Sequence, residues 1–415
     1  MSVKSELMIF NEEHPQVVIE SANIVDVLPQ TSLAENANTI EFNIIGSDVE
    51  YLDLNDTLLY LRLKITTSDG KNLTDAAATC PANFLMNALF KDVTLSLNDT
   101  IIEGGTQMYP YKSTIASIFG FNKSTRQIQL ESMGYLDNPE DRKKLIGKSR
   151  IVELCGALRL DFLNQPKYLI PGVNVRITLT RSDDRFAFTA GAGAAAIKLL
   201  HAKLYVRRVR VSPSVLRGHE VGLTKKNAVY PYNRSQVVSY TIPQGSHSHF
   251  RDNVFSSSLL PKFVVVGFVS ASGFNGSEMD SDPFGFTHFD IQSIGLFRDG
   301  QSLPYREIYE PNFSNDLYLR EYMKSIIHNT QHLNTNFNNG ITLKDFSSGN
   351  YCFFTFNLTP DFDMLQTQMP RDGNLRLEIR FRTQLKEPIN VIVYGTFDTH
   401  IQINKQREIV CSHVH

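Results

Sequence analysis

A strand figure that occurs twice, about 200 residues apart, constrains what this chain can fold into more than any other feature. In Leu154 to Arg181, LCGALRLDFLNQPKYLIPGVNVRITLTR, an apolar strand ends in Asp161-Phe162. A Pro171-Gly172 break and an alternating strand follow. Val173, Val175, Ile177 and Leu179 fall on one face of that strand, and Asn174, Arg176, Thr178 and Thr180 on the other. A period of two marks a strand with one buried and one wet face. The figure returns in Tyr351 to Thr383, YCFFTFNLTPDFDMLQTQMPRDGNLRLEIRFRT. There the apolar strand ends in Asp361-Phe362, the break is Pro370 to Gly373, and Leu375, Leu377, Ile379 and Phe381 alternate with Arg376, Glu378, Arg380 and Arg382. Each copy reads as a hairpin-like pair of strands.

Other landmarks recur at the same offset. Thr57 to Thr67 is a strand with Leu59, Leu61, Leu63 and Ile65 on one face, and Pro261 to Ser270 is its more apolar counterpart. Lys91 to Ile102 is a hairpin turning at Asn98-Asp99, and Asp290 to Leu303 is one turning at Asp299-Gly300. Ile197 to Val211 closes the first unit as Ile389 to Ile403 closes the second. The adjacent Arg207 and Arg208 predict a bulge or an exposed strand end. Short helices are expected at Tyr111 to Phe119 and at Ser314 to His328. The second has Ser314 as N-cap and Leu317, Leu319, Tyr322, Ile326 and Ile327 as its apolar positions. Ser21 to Leu28, Thr39 to Ile45 and Gln236 to Ile242 complete the strands, and the polar stretch from Phe121 to Arg150 reads as a long excursion.

Many short strands with turns between them, repeated in order, predict an all-β chain of two tandem eight-stranded jelly-roll sandwiches with short helices in the loops. The expected division is an arm over 1–20, a first jelly roll over 21–211, a linker over 212–226, a second jelly roll over 227–404 and a tail over 405–415. The linker rests on Pro213, Gly218 and Gly222, where the apolar pattern lapses.

With 42% hydrophobic and 20% charged residues the chain can build sizeable cores, and a formal charge of −2 gives no global pull toward nucleic acid or anionic membrane. Cys80, Cys155, Cys352 and Cys411 are far apart and read as reduced thiols, which fits a protein made in a reducing cell interior. No apolar run approaches a membrane span, and the start, MSVKSELMIF, carries no signal-peptide core.

The search for chemistry finds no phosphate loop, dinucleotide fingerprint, zinc-protease helix or nucleophile elbow. His247 and His249 form an HxH without the Glu that a jelly-roll metal site places close by. His328 and His332 are four apart in Asn-rich surroundings, and Cys411, His413 and His415 lie at the very end of the chain. Asp183-Asp184 and Glu140-Asp141 suit loop solvation better than acid/base work. No catalytic, cofactor-binding or metal-ligating residue is assigned and no cofactor is expected, so the chain does not read as an enzyme. Arg142, Lys143 and Lys144 with Lys148 and Arg150, then Arg207, Arg208 and Arg210, then Arg376, Arg380 and Arg382 form basic runs. They suit solvated faces and subunit salt links, with non-specific contact to packaged nucleic acid as the alternative.

YLDLNDTLLYLRLKIT (51–66), NFLMNALFKDVTLSLNDTII (83–102) and the order strand, YPYKS, helix at Tyr109 to Ser113 resemble the major capsid proteins of polintons (Mavericks) and adintoviruses. The resemblance is strongest over 50–180 and is one of strand order beyond. It implies a double jelly-roll subunit of a virion capsid, made in the host cytoplasm. It implies a homotrimer whose six jelly rolls form a pseudo-hexameric capsomer, and capsomers that tile an icosahedral shell around double-stranded DNA. Neighbouring capsomers, penton and other minor capsid proteins would be the partners. The loops Ser68 to Pro81, Ala271 to Gly285 and Asn329 to Asn350 would face outward, and their modest length departs from the larger relatives. Two other readings stand beside it: a tandem sandwich that binds carbohydrate, against which the absence of Trp counts, and a metal-dependent jelly-roll enzyme resting on the His pairs.

Overall fold

The computed structural model describes residues 16–33, 38–74, 78–191, 195–257, 259–276, 281–298, 300–304, 308–327, 339–348, 351–360, 364 and 367–411. Alternation places the strands in two facing layers, twice over. In the first half these are β1 (Ile19–Val27), β2 (Thr39–Ile44), β3 (Glu50–Thr67), β4 (Cys80–Pro81), β5 (Phe90–Leu97), β6 (Thr100–Glu103), β7 (Ile151–Ala157), β8 (Val175–Arg181), β9 (Phe188–Ala190) and β10 (Ala195–Val211). One sheet has the order β1-β10-β3-β7 and faces a second, β2-β8-β5-β6, while β4 and β9 pair as a small ribbon. The second half has β11 (Ala228–Ile242), β12 (Ser248–Arg251), β13 (Phe263–Ser270), β14 (Ile291–Arg298), β15 (Gln301–Leu303), β16 (Phe353–Asn357), β17 (Arg376–Phe381), β18 (Ile389–Ile403) and β19 (Ile409–Cys411). Its sheets run β11-β18-β13-β16 and β12-β17-β14-β15, with β19 added to β18. Leaving out β4, β9 and β19, the strands among the described residues, eight in each half, occupy the same places in the same order. The chain is a double jelly roll.

The repeated figure is not a hairpin in either copy. β7 pairs with β3 in one sheet, whereas β8 lies between β2 and β5 in the other. The second copy divides in the same way, β16 against β13 and β17 between β12 and β14. The Pro/Gly break carries the chain across the sandwich, so the two strands face each other through the core. Val173, Val175, Ile177 and Leu179 are buried there, as are Leu375, Leu377, Ile379 and Phe381. The Asn98-Asp99 turn is a true hairpin turn, with both residues at positive φ, between β5 and β6. The register of β10 on β3 slips between Tyr205 and Arg207, and Val206, at the slip, and Val209, beyond it, are both buried.

Among the described residues, eight helices sit in the connections: α1 (Leu85–Ala88), α2 (Tyr109–Gly120), α3 (Lys123–Gln129), α4 (Pro139–Ile146), α5 (Pro213–Leu223), α6 (Ala271–Asn275), α7 (Leu319–Ile327) and α8 (Leu343–Ser347). The excursion 121–150 is therefore partly helical, with Asn122 and Asn138 capping α3 and α4. Residues 212–226 carry α5, and part of the expected tail is β19. Ser314 is not a helix N-cap. It lies in a 3₁₀ turn, Asp316 follows at φ 55°, and α7 starts only at Leu319. The expected apolar face is only partly right: Leu317, Leu319 and Ile327 are 65%, 58% and 47% exposed, Tyr322 packs against the core, and Glu321 and Lys324 are buried. Among the described residues no helix is long and apolar enough to cross a membrane.

Candidate functional site

The residues that do unusual physical work lie between the two sandwiches. The sequence from Gly104 to Asn122 contains one charged residue, Lys112. Pro110 in the first turn starts α2, where its missing N–H costs nothing. α2 then carries Lys112 into a buried position. Burial works against the ammonium charge, but Asp161 and Glu103 more than offset it and hold the lysine well above its usual range. Lys112 Nζ donates to Glu103 Oε1 at the end of β6, and to Asp161 Oδ2 at 2.7 Å beyond β7. Glu103 Oε2 accepts the backbone N–H of Asp161 at 2.8 Å. Asp161 in turn reaches the second sandwich, accepting from the backbone N–H of Ser235 at 2.6 Å and from its hydroxyl at 3.1 Å. That hydroxyl also bonds Tyr394 Oη on β18 at 2.7 Å. Two carboxylates therefore share one ammonium, and burial, then the Asp161 charge, push Glu103 up to about 7.

Apolar contacts flank this polar joint. Tyr111 stacks on Phe274 of α6 at 5.4 Å and meets Phe284 and Phe286 edge-on. Phe119, at the other end of α2, stands edge-on to Phe263 and Phe353. α2 thus belongs to the first half by sequence and packs into the second. Further along, Arg126 Nη1 donates to the carbonyl of Asn339 at 2.5 Å. At the opposite end Arg407, in the turn before β19, donates to the carbonyl of Pro171 at 2.7 Å and pairs with Glu220 of α5. A cavity of about 780 Å³ opens beside the triad, lined by Glu103, Lys112, Arg234, Ser235 and Ser256 among others. The charged groups of the triad, all from the first half, are engaged with one another, and Asp161 carries the cluster across the seam to Ser235, which ties the two sandwiches together.

The candidates read from sequence fall elsewhere. His249 lies on β12 and stacks on Tyr240 at 5.7 Å, with burial and then Arg251 lowering its pKa, while His247 is exposed. His328, His332, His413 and His415 lie outside the described residues, and Cys411 is half-buried on β19. Among the described residues no three His, Cys, Asp or Glu side chains gather into a metal-binding group. Asp184 bonds Arg181 and the N–H of Ile197, and Glu140 and Asp141 pair with Lys143 and Lys144 one turn on. The basic runs are largely neutralised within the chain. Arg142 is buried on the carbonyl of Pro81, Arg207 holds Asp53 and Asp56, Arg208 holds Glu50, and Arg376 holds Glu378. The sequence reading used Asp161 only as a landmark of the repeated figure and did not single out Lys112 or Glu103. The signal that could have found them is the lone charge in an apolar helix, which demands a buried partner.

No family model matches the sequence. An uncharacterized protein of Caenorhabditis elegans is 23% identical over 389 residues, 88% of this chain and 91% of that protein. Among solved structures, the chain of a PBCV-1 virus capsid is similar with a TM-score of 0.62 at 10% identity, covering 98% of this chain and 100% of that one. The mavirus major capsid protein is similar with a TM-score of 0.57 at 11% identity, covering 99% and 93%.

Proposed function

We propose that this chain is a major capsid protein, a non-catalytic building block of a virion shell of the polinton or adintovirus type. The observation that carries the reading is the seam. Two jelly rolls of the same strand order are joined by the bonds of Asp161, from the Lys112 triad, to Ser235 and by the Tyr111 aromatic cluster. A shell tile needs its two like sandwiches held in one fixed relation, and the seam supplies it. Likeness over nearly the whole length to proteins described as capsid components supports the same reading.

Residues 21–211 and 227–404 would be the two shell-forming units, joined through 212–226. Three copies would close into a ring of six jelly rolls, a pseudo-hexagonal capsomer, by cyclic symmetry. Such capsomers would tile an icosahedral shell around double-stranded DNA, with penton and other minor capsid proteins as partners. Contact with DNA would be non-specific and weak, since most of the basic side chains singled out already hold acids. Synthesis would be in the host cytoplasm and the final location the virion.

The test is the mass of the purified protein in solution followed by electron microscopy. Trimers and hexagonal particles are expected. A stable monomer at every concentration, with no particles, would sink the reading.

A further inference from the structure

An apolar groove of about 790 Å³ lies at the foot of the molecule, where α5 passes between the halves. Its walls include Ile19, Ile170, Val211, Val215, Leu223 and Tyr230. Gly218 and Gly222, one turn apart on α5, form part of its floor, and a Cβ built on either meets nothing within 4 Å. The helix therefore presents bare backbone to open space, leaving room for several apolar side chains of an occupant. Lys225 and Lys226 stand at the rim, exposed and without an ion pair among the described residues.

Two facts indicate what fills it. Gln16 and Val18, at the N-terminal edge of the described chain, line the groove themselves. The preceding segment contains an unbroken apolar run, Leu7, Met8, Ile9 and Phe10, flanked by Glu6, Glu12 and Glu13. Phe10 is six positions before Gln16, a tether that spans about 20 Å when extended and gives a high effective concentration at the groove. The apolar run matches the walls, and the acids match the lysine rim.

We propose that the groove is the seat of the chain's own residues 7–10, with Glu12 and Glu13 facing Lys225 and Lys226. This inference is independent of the capsid reading.

The chain has no Trp, so Phe10→Trp in the full-length protein places a single fluorophore in the segment. A blue-shifted emission, slowly quenched by acrylamide and unchanged on dilution, is expected. In the same background Gly222→Leu fills the groove, and Lys225→Glu with Lys226→Glu reverses the rim without touching the walls. Each is expected to shift the emission to the red and raise the quenching constant several-fold. Should Gly222→Leu fail to fold by thermal melting, the rim variant carries the test alone. Water-like emission in the parent, or protected emission that the folded groove variants leave unchanged, overturns the proposal. Protection that disappears on dilution also overturns it, since the occupant is then a neighbour's segment. So does a lipid retained in native mass spectrometry alongside an exposed indole.

Discussion

Lys112 and Asp161 meet at 2.7 Å between the two jelly rolls, 49 residues apart in sequence and both nearly buried. Asp161 is also the residue that grips Ser235 of the second half. One carboxylate thus neutralises a buried ammonium with one oxygen and holds the neighbouring sandwich with both. With Glu103 ionised the cluster carries a net negative charge, so its balance depends on the lysine.

Lys112→Met leaves two buried carboxylates without their cation. Breaking a buried ion pair from one side costs about 3–5 kcal/mol, and that loss is expected in urea unfolding. Adding Glu103→Gln to the same chain removes one of the orphaned charges and is expected to return part of it. A Lys112→Met protein as stable as the parent would show that the triad does not hold the seam.

The same cluster makes stability depend on pH. Folded Glu103 titrates at about 7 and the unfolded group at its ordinary 4.5, so the folded chain binds this proton more tightly. Its contribution is full below pH 4.5 and is lost as pH rises through about 7. The span amounts to about 3 kcal/mol at most. Other carboxylates titrate too, so the measurement is the urea midpoint of the parent minus that of Glu103→Gln at about pH 5 and about pH 8. The difference is expected to fall toward the higher pH, and parallel curves would refute the assignment.

Gly395 lies in β18 between β11 and β13, and a Cβ there would stand 2.4 Å from the Phe255 ring. Gly395→Ala is expected to cost about 1–3 kcal/mol through overpacking. Because the clash is with one ring, Phe255→Leu in the same chain is expected to recover part of the loss. Thermal melting of the two variants checks both statements.

α7 separates what the sequence could show from what it could not. Strands were legible because alternation is local: the inward residues of β2, β3, β8 and β17 can be read off in order. Pairing was not, since Pro171-Gly172 reads equally as a hairpin turn or as a crossing between sheets. Helix orientation was not legible either, because it depends on what lies beneath. Lys324 is buried on the carbonyl of Ile308 at 3.0 Å and over the Tyr309 ring, which turns Leu319 and Met323 outward. The triad escaped notice because its members come from three separate elements, and only the tertiary fold brings them together. Leu319→Ser is therefore expected to change monomer stability by less than about 0.5 kcal/mol. Tyr322→Ser, which loses the bond to Ile341 and the contact with Phe346, is expected to cost about 2 kcal/mol.

The outer face of β17 offers a test of assembly separate from folding. Arg376 is held by Glu378 at 3.0 Å, and Arg382 lies 3.7 Å from Asp290 and donates to the carbonyl of Pro311. Arg380, between them, is exposed and has no acid partner among the described residues. An exposed cation adds little to the stability of a monomer, so Arg380→Ser is expected to leave the unfolding midpoint unchanged. If this face meets a neighbouring jelly roll, the same change removes a contact that only the assembly makes. Arg380→Ser, and more so Arg380→Ser with Arg382→Ser, is then expected to lower the fraction of protein in trimers or particles and the salt concentration at which they dissociate. Sedimentation across a salt series reads both quantities. Assembly identical to the parent would withdraw the role of this face while leaving the double jelly roll and its seam untouched.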